Sequence, residues 1–210
     1  MIFWARPCDI LSIMEKILLL DVDGVIVSKE TYFSTRYARE FGVPVENLLP
    51  FFKTEFRECQ LGSKDLREAL DKYLVDWRWQ GSVDKLLEYW FKDGSMPDAE
   101  VMAVVKHARN KGVWCYLATD QEKYRAAYLW NDLGLAKDFD GSFFSCDLGA
   151  RKHEALYWEK VLATLGNPAP ASVFFWDDEE ENIDVAQKTG INTHLFTGIE
   201  GLKRFLPEGV

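Results

Sequence analysis

Hydrophobic positions along this chain change their spacing in a regular way, and the changes mark out the elements. Ile17-Leu18-Leu19-Leu20 is an unbroken run of branched apolar residues, as expected of a strand covered on both faces in a parallel sheet. From residue 97 onward, helical and strand patterns alternate. Val101, Val104, Val105 and Ala108 follow the i, i+3, i+4, i+7 spacing of an amphipathic helix closed by Lys111-Gly112. A strand over Val113–Ala118, a helix over Gln121–Leu133 and a short strand over Ser142–Ser145 come next. A helix over His153–Leu165, a strand over Ser172–Trp176, a helix over Glu179–Thr189 and a strand over Ile191–Phe196 complete the series. Such β-α repetition predicts an α/β fold, a Rossmann-like parallel sheet flanked by helices with right-handed crossovers.

The stretch from about Lys29 to Gly94 interrupts this rhythm with helical patterns alone. Helices are expected over Thr31–Phe41 before Gly42, Glu46–Cys59 with Pro50 near its start, Ser63–Val75 capped by Ser63, and Ser82–Lys92 capped by Ser82. The expected organisation is therefore a core of residues 1–28 and 95–210 with a helical module, 29–94, inserted between them. Its aromatics include Phe33, Tyr37, Phe51, Phe52, Phe56, Trp77, Trp79, Tyr89 and Trp90, and most must form the module's own core. Packing is also the expectation for Trp77-Arg78-Trp79.

Charge narrows the range of partners. The formal net charge of -9 over 210 residues argues against nucleic acid or an anionic membrane, since both require a positive field. No apolar run approaches the ~20 residues that span a bilayer. Cys8, Cys59, Cys115 and Cys146 are scattered with no C-x-x-C, which suits reduced thiols in a cytoplasm. Residues 1–13 lack a small-residue cleavage site, and Met14-Glu15-Lys16 leads straight into the first strand. These leading residues are expected to be dispensable, against the alternative that Ile2, Phe3 and Trp4 pack on the core. No pattern sets an oligomeric state.

Candidate chemistry gathers at strand ends, where ligand sites of parallel sheets lie. Asp21 and Asp23 follow the first strand two residues apart, so on extended backbone both carboxylates can face one volume, and Gly24 allows an immediate turn. Thr119 follows the second strand, Lys152 lies in Gly149-Ala150-Arg151-Lys152 after the third, and Asp177-Asp178 with Asn182 follows the fourth. Singly, Thr119 is a strand-end residue, Lys152 a surface lysine and Glu179-Glu180-Glu181 a solvated helix start. Together they read as an active site.

In order, strand placement and spacing these four segments resemble the haloacid dehalogenase superfamily of phosphohydrolases, over essentially the whole chain from Lys16. The resemblance implies that the helical insert is that family's α-helical cap. It implies that Asp21 attacks phosphorus to form an aspartyl-phosphate, while Asp23 protonates the leaving oxygen and later activates water. Phosphoryl charge must be neutralised before a carboxylate can attack, so Asp21, Asp178 and Asp177, with the backbone carbonyl of Asp23, are expected to hold Mg²⁺. Thr119, Asp120 and Lys152 are expected at the phosphate, and Lys64, in the turn Gln60-Leu61-Gly62-Ser63-Lys64, at the substrate. Asp120 stands where the family often has asparagine, and His153 where proline is common. His153, His107 and His194 are expected to be structural or surface residues.

The expected function is a Mg²⁺-dependent phosphatase acting on a small phosphorylated metabolite. A phosphomutase of the same superfamily and a non-catalytic binding or regulatory homologue are the alternatives. A dehalogenase fits less well, since the superfamily's metal-independent dehalogenases lack an acid at the position of Asp23.

Overall fold

The computed structural model describes residues 16–28, 32–92 and 96–205. In chain order, β1 (Ile17–Leu20) is followed by α1 (Phe33–Phe41), α2 (Val45–Lys53), α3 (Glu55–Gln60), α4 (Leu66–Asp71), α5 (Val83–Lys92) and α6 (Ala99–Asn110). Next come β2 (Trp114–Thr119), α7 (Lys123–Ala127), β3 (Gly141–Phe144), α8 (Ser145–Leu148) and α9 (Ala155–Thr164). β4 (Val173–Asp177), α10 (Glu180–Gln187), β5 (Asn192–Leu195) and α11 (Ile199–Phe205) complete the series. The strands form one parallel sheet in the order β3-β2-β1-β4-β5, which puts the uninterrupted apolar strand at its centre.

Successive side chains of β1 point to opposite faces, and each face has its own core. Leu18 and Leu20 join Cys115 and Leu117 under Val101, Val104, Val105 and Ala108 of α6 and Leu202 of α11. Ile17 and Leu19 join Phe143, Val173 and Phe175 under Tyr157, Trp158 and Val161 of α9 and Ala186 of α10. The helical spacing read in α6 is thus the spacing of its buried face.

A third hydrophobic cluster is built from α1 to α5, with Tyr37, Leu48, Phe51, Leu66, Trp77, Leu86 and Phe91 buried in it. Trp77 sits among the rings of Phe51, Phe52 and Tyr73 at centroid distances of 5.3, 6.2 and 5.6 Å, and its carbonyl accepts a hydrogen bond from the Tyr37 hydroxyl at 2.9 Å. The two tryptophans of Trp77-Arg78-Trp79 therefore pack within the insert, while Arg78 between them is exposed and turns with φ of 56°.

Several elements differ from expectation. The helix expected over Glu46–Cys59 is two, broken at Thr54, whose backbone (φ -124°, ψ -89°) leaves the helical region while its hydroxyl donates to the Pro50 carbonyl. The helix expected from Ser63 starts later: Asp65 caps α4 by accepting from the N–H groups of Arg67 and Glu68, and the Ser63 hydroxyl donates instead to the Glu58 carbonyl. Glu122 caps α7, which passes into a π-helical turn at Tyr128–Asp132. α8 and α11 are too short to show a periodic signal. The expectations for residues 1–13, including Ile2, Phe3 and Trp4, and for the exact limits of the insert near residues 29–31 and 93–95 lie outside the described residues.

Trp77 is fully buried and its indole N–H has no hydrogen-bond partner. Trp77→Ala should cost about 3–5 kcal/mol of stability in urea unfolding. Trp77→Phe, which removes the unpaired N–H along with part of the ring, should cost well under half of that. Equal losses for the two variants would show that the bicyclic shape, and not the volume, holds the insert together.

Candidate active site

Strand register brings the acids together. Leu20 pairs with Leu117 of β2 and Trp176 of β4, so the residues just beyond it emerge at one edge of the sheet. Asp21 continues from β1 with its N–H donating to the Trp176 carbonyl at 3.0 Å, while Thr119 and Asp177 end β2 and β4. The chain then folds back sharply, because the N–H groups of Val25, Ile26 and Val27 all donate to the Val22 carbonyl. Gly24 (φ 95°) lies in this turn, where a Cβ would come within 2.3 Å of Asp178 Oδ2. Asp178 can approach the first strand only because that residue is glycine.

A buried ammonium stands between two buried carboxylates. Lys152 Nζ is 2.8 Å from Asp21 Oδ2 and 2.6 Å from Asp177 Oδ2, and the three residues are 3%, 4% and 0% exposed respectively. Burial raises the pKa of Asp21, reinforced by the Asp177 charge and opposed by Lys152. Burial would lower that of Lys152, but the Asp21, Asp177 and Asp120 carboxylates outweigh it and hold the ammonium above its ordinary value. Asp177 is further fixed by the Glu179 N–H at 2.8 Å and by Asn182 Nδ2 at 3.1 Å.

Oxygens of Asp21, Asp177 and Asp178 lie within 4.8 Å of one another. Three carboxylates against one ammonium leave an excess of two negative charges. This donor set, all hard oxygens, fits a divalent cation such as Mg²⁺. Asp177 is mainly the anchor of Lys152, which leaves Asp21 and Asp178 as the better ligands.

The residues after β2 bind these parts to one another. The Asp120 carboxylate accepts from the Lys152 N–H at 3.0 Å and from Arg151 Nε at 3.2 Å. Gln121 Nε2 donates to Thr119 Oγ1 at 3.0 Å and to Asp23 Oδ2 at 2.7 Å, while Arg125 Nη2 donates to Asp23 Oδ1 at 2.6 Å. Burial would raise the pKa of Asp23, but Arg125 and Gln121 bring it below the usual value. Glu122, buried at the start of α7, accepts from the N–H groups of Tyr124 and Arg125, and burial pushes its pKa up to about 7.

The helical insert touches this segment directly. Gln60 Nε2 donates to the Asp120 carbonyl at 3.1 Å, and Ser145 Oγ donates to the Gln60 carbonyl at 2.7 Å. At Gly62 a Cβ would fall 2.3 Å from the Cys146 carbonyl, so the turn expected at the substrate does meet the core. Its lysine does not: Lys64 Nζ is held by Glu58 at 3.0 Å and Glu55 at 3.6 Å. The short side chains of the turn bring its backbone to the core, while the two acids on α3 draw the lysine back to the insert. Asp65 accepts from the Tyr124 hydroxyl at 2.8 Å and from Lys123 Nζ, and the Arg67 guanidinium covers the Tyr124 ring at 4.4 Å.

Gln121, Arg125, Glu122 and Asp65 are the participants that the sequence reading passed over. Starting the helix at Gln121 hid Glu122 as its cap; recognising that cap would have put Gln121 in a loop and Arg125 in the first turn, both near the strand end. Of the histidines, His194 stacks on Trp176 at 4.4 Å, His107 lies in α6, and His153 is a partly exposed neighbour of Glu154. Cys59, Cys115 and Cys146 carry free thiols, and no helix among the described residues is long and apolar enough to cross a membrane.

Comparison with known proteins agrees with this arrangement. The haloacid dehalogenase-like hydrolase profile matches residues 15–190. Enolase-phosphatase E1 of Klebsiella oxytoca is 22% identical over 167 residues, 74% of this chain and 71% of that protein. The sesquiterpene phosphatase astK of Aspergillus oryzae is 31% identical over 105 residues, 47% of this chain and half (50%) of its own length. A HAD-family enzyme of Bacteroides thetaiotaomicron, crystallised with magnesium and inorganic phosphate, superposes with a TM-score of 0.72 at 20% identity, over 86% of this chain and 93% of that one.

The Asp65 contacts carry a pH signature. Partial burial would raise its pKa, but Lys123 and Tyr124 hold it at about 2, below the ordinary value of 3.8. A carboxyl lowered in the folded state stabilises above its unfolded pKa and loses that contribution as pH falls through the folded one. Asp65→Asn keeps the helix cap but loses the charge. Its melting temperature should lie below wild type near neutral pH, with the gap closing as pH falls from about 5 towards 2. A gap that stays constant across that range would mean the contact with Lys123 contributes nothing.

Proposed function

The chain belongs to the haloacid dehalogenase-like hydrolase family, and within it we propose that the protein is a Mg²⁺-dependent phosphatase acting on a small phosphorylated metabolite through an aspartyl-phosphate on Asp21. The observation that carries this reading is the convergence of Asp21, Asp177 and Asp178 on one point around the buried Lys152, with Thr119 at the same edge. The phosphatase names of two relatives and the magnesium and phosphate bound by a structural neighbour support it.

Each side chain has a part. A Mg²⁺ held by Asp21, Asp178 and the Asp23 carbonyl would supply hard positive charge against the phosphoryl oxygens. Lys152 adds a fixed cation, and the Thr119 hydroxyl a donor. Asp21 attacks phosphorus in line and takes up the phosphoryl group, while Asp23 passes a proton to the departing oxygen and later draws one from water. The helices over 33–92 act as a cap, with the Gln60–Gly62 turn set against Asp120 and Cys146 to limit the substrate to a small molecule. The free thiols suit a reducing cytoplasm.

Phosphate release from p-nitrophenyl phosphate, with and without Mg²⁺, tests the reading, and a panel of phosphorylated metabolites would define the substrate. Asp21→Asn should abolish turnover with little change in melting temperature. Activity within about tenfold of wild type would overturn the assignment. Asp178→Asn should chiefly raise the Mg²⁺ concentration needed for half-maximal activity, with partial recovery at high Mg²⁺. A loss that is the same at every Mg²⁺ concentration would remove Asp178 from the ligand set.

A further inference from the structure

Asp23 is held in a way that the proposed chemistry does not require of a simple acid. Both its oxygens are engaged, one by Gln121 Nε2 at 2.7 Å and the other by Arg125 Nη2 at 2.6 Å. The two donors lie four residues apart, on either side of the α7 cap. Neither is loose: the Gln121 N–H donates to Ser145 Oγ at 3.0 Å, and the Arg125 N–H donates to the buried Glu122 carboxylate at 2.6 Å. The Arg125 side chain is 13% exposed and that of Asp23 36%, so the guanidinium is buried while the carboxylate stays open to the site. The Gln121 amide also reaches Thr119 Oγ1, so a single group fixes Asp23 relative to the hydroxyl expected at the phosphate.

We propose that Gln121 and Arg125 are positioning residues that orient the Asp23 carboxylate for the hydrolytic half of the reaction. The inference rests on the phosphatase reading above. In that half a water oxygen bonds to the phosphorus carried on Asp21, and one of its protons passes to Asp23. The bond between phosphorus and the Asp21 oxygen breaks, its electron pair returns to the Asp21 carboxylate, and inorganic phosphate departs. A donor on each oxygen restrains rotation of the carboxylate and so fixes the direction of the lone pairs left free, which suits a base that must receive a proton from a water of defined position. A charge-assisted bond from a planar guanidinium sets that direction more firmly than a solvated contact would. Phosphoryl transfer from a substrate with a good leaving group needs no proton from Asp23 and so gains little from the clamp.

Rapid-mixing kinetics with p-nitrophenyl phosphate separate the two halves, because p-nitrophenolate appears when the phosphoenzyme forms. Arg125→Gln should lower steady-state kcat by about tenfold or more. The first turnover should slow by less than about threefold, so that a burst approaching one equivalent of enzyme appears and labelled phosphate stays on the protein. Gln121→Leu, which leaves the ion pair in place, should show a smaller effect of the same kind, and Arg125→Lys should recover part of the rate. Equal slowing of burst and steady state, or a kcat left unchanged in both Arg125→Gln and Gln121→Leu, would overturn the proposal. Wild-type protein that releases no phosphate with Mg²⁺, or an active Asp21→Asn, would instead overturn the phosphatase reading. Should Arg125→Gln fail to fold, Gln121→Leu and Arg125→Lys decide the matter by the same burst measurement.

Discussion

One ammonium group lets this site exist. With oxygens of Asp21, Asp177 and Asp178 within 4.8 Å of one another, mutual repulsion is about 3–4 kcal/mol for each charged pair at an effective dielectric near ~20. Lys152 lies within hydrogen-bond distance of two of the three. Buried ion pairs of this kind seldom add stability over an apolar core, since the desolvation of each charge offsets most of the attraction. The cluster is therefore held in place by the structure around it. The two sheet faces and the Trp77-centred cluster supply the apolar burial, and the strand register supplies the aim.

Lys152 must itself be placed, and that task falls to a segment 32 residues earlier. Residues 119–125 have almost no side chain without a structural partner. Thr119 faces the proposed phosphate, Asp120 holds the Lys152 backbone, Gln121 and Arg125 hold Asp23, and Glu122 fixes the start of α7. Lys123 and Tyr124 reach Asp65 across the boundary with the helical insert. The same helical turn therefore contacts both the insert, through Asp65, and Asp23.

The core was legible because its signals are local. An apolar run such as Ile17–Leu20 or a valine stripe such as Val101–Val105 declares its period within a few residues, and the carboxyl ends of parallel strands mark the side on which ligand sites form. The expectation of a parallel sheet, with Asp21, Thr119, Lys152 and Asp177 each placed at a strand end, follows from those signals, while the order of the strands does not. What escaped is non-local or short. Arg125 finds Asp23 across 102 residues and Tyr124 finds Asp65 across 59, and nothing in either neighbourhood marks the partner. Lys64, expected at the substrate, is instead paired with two acids on α3 close by in sequence, although its turn does meet the core. The break at Thr54 and the Asp65 cap replaced a longer helix and a Ser63 cap because several polar residues there compete for the same backbone groups.

Asp120 shows how an extra acid can stand beside a phosphate site without spoiling it. At this position the haloacid dehalogenase family often has asparagine, and an unpaired carboxylate would repel the phosphoryl group that Lys152 is proposed to attract. Here the charge is paired, one oxygen accepting from the Lys152 N–H and the other from the Arg151 guanidinium. Arg151 lies next to Lys152 in sequence, so a single loop brings one cation to Asp120 and another to Asp21. An asparagine could accept from the same N–H but could not form the ion pair with Arg151. The acid and the arginine are best understood as one unit, which keeps the local charge near that of the asparagine pattern and ties the lysine loop more tightly to β2.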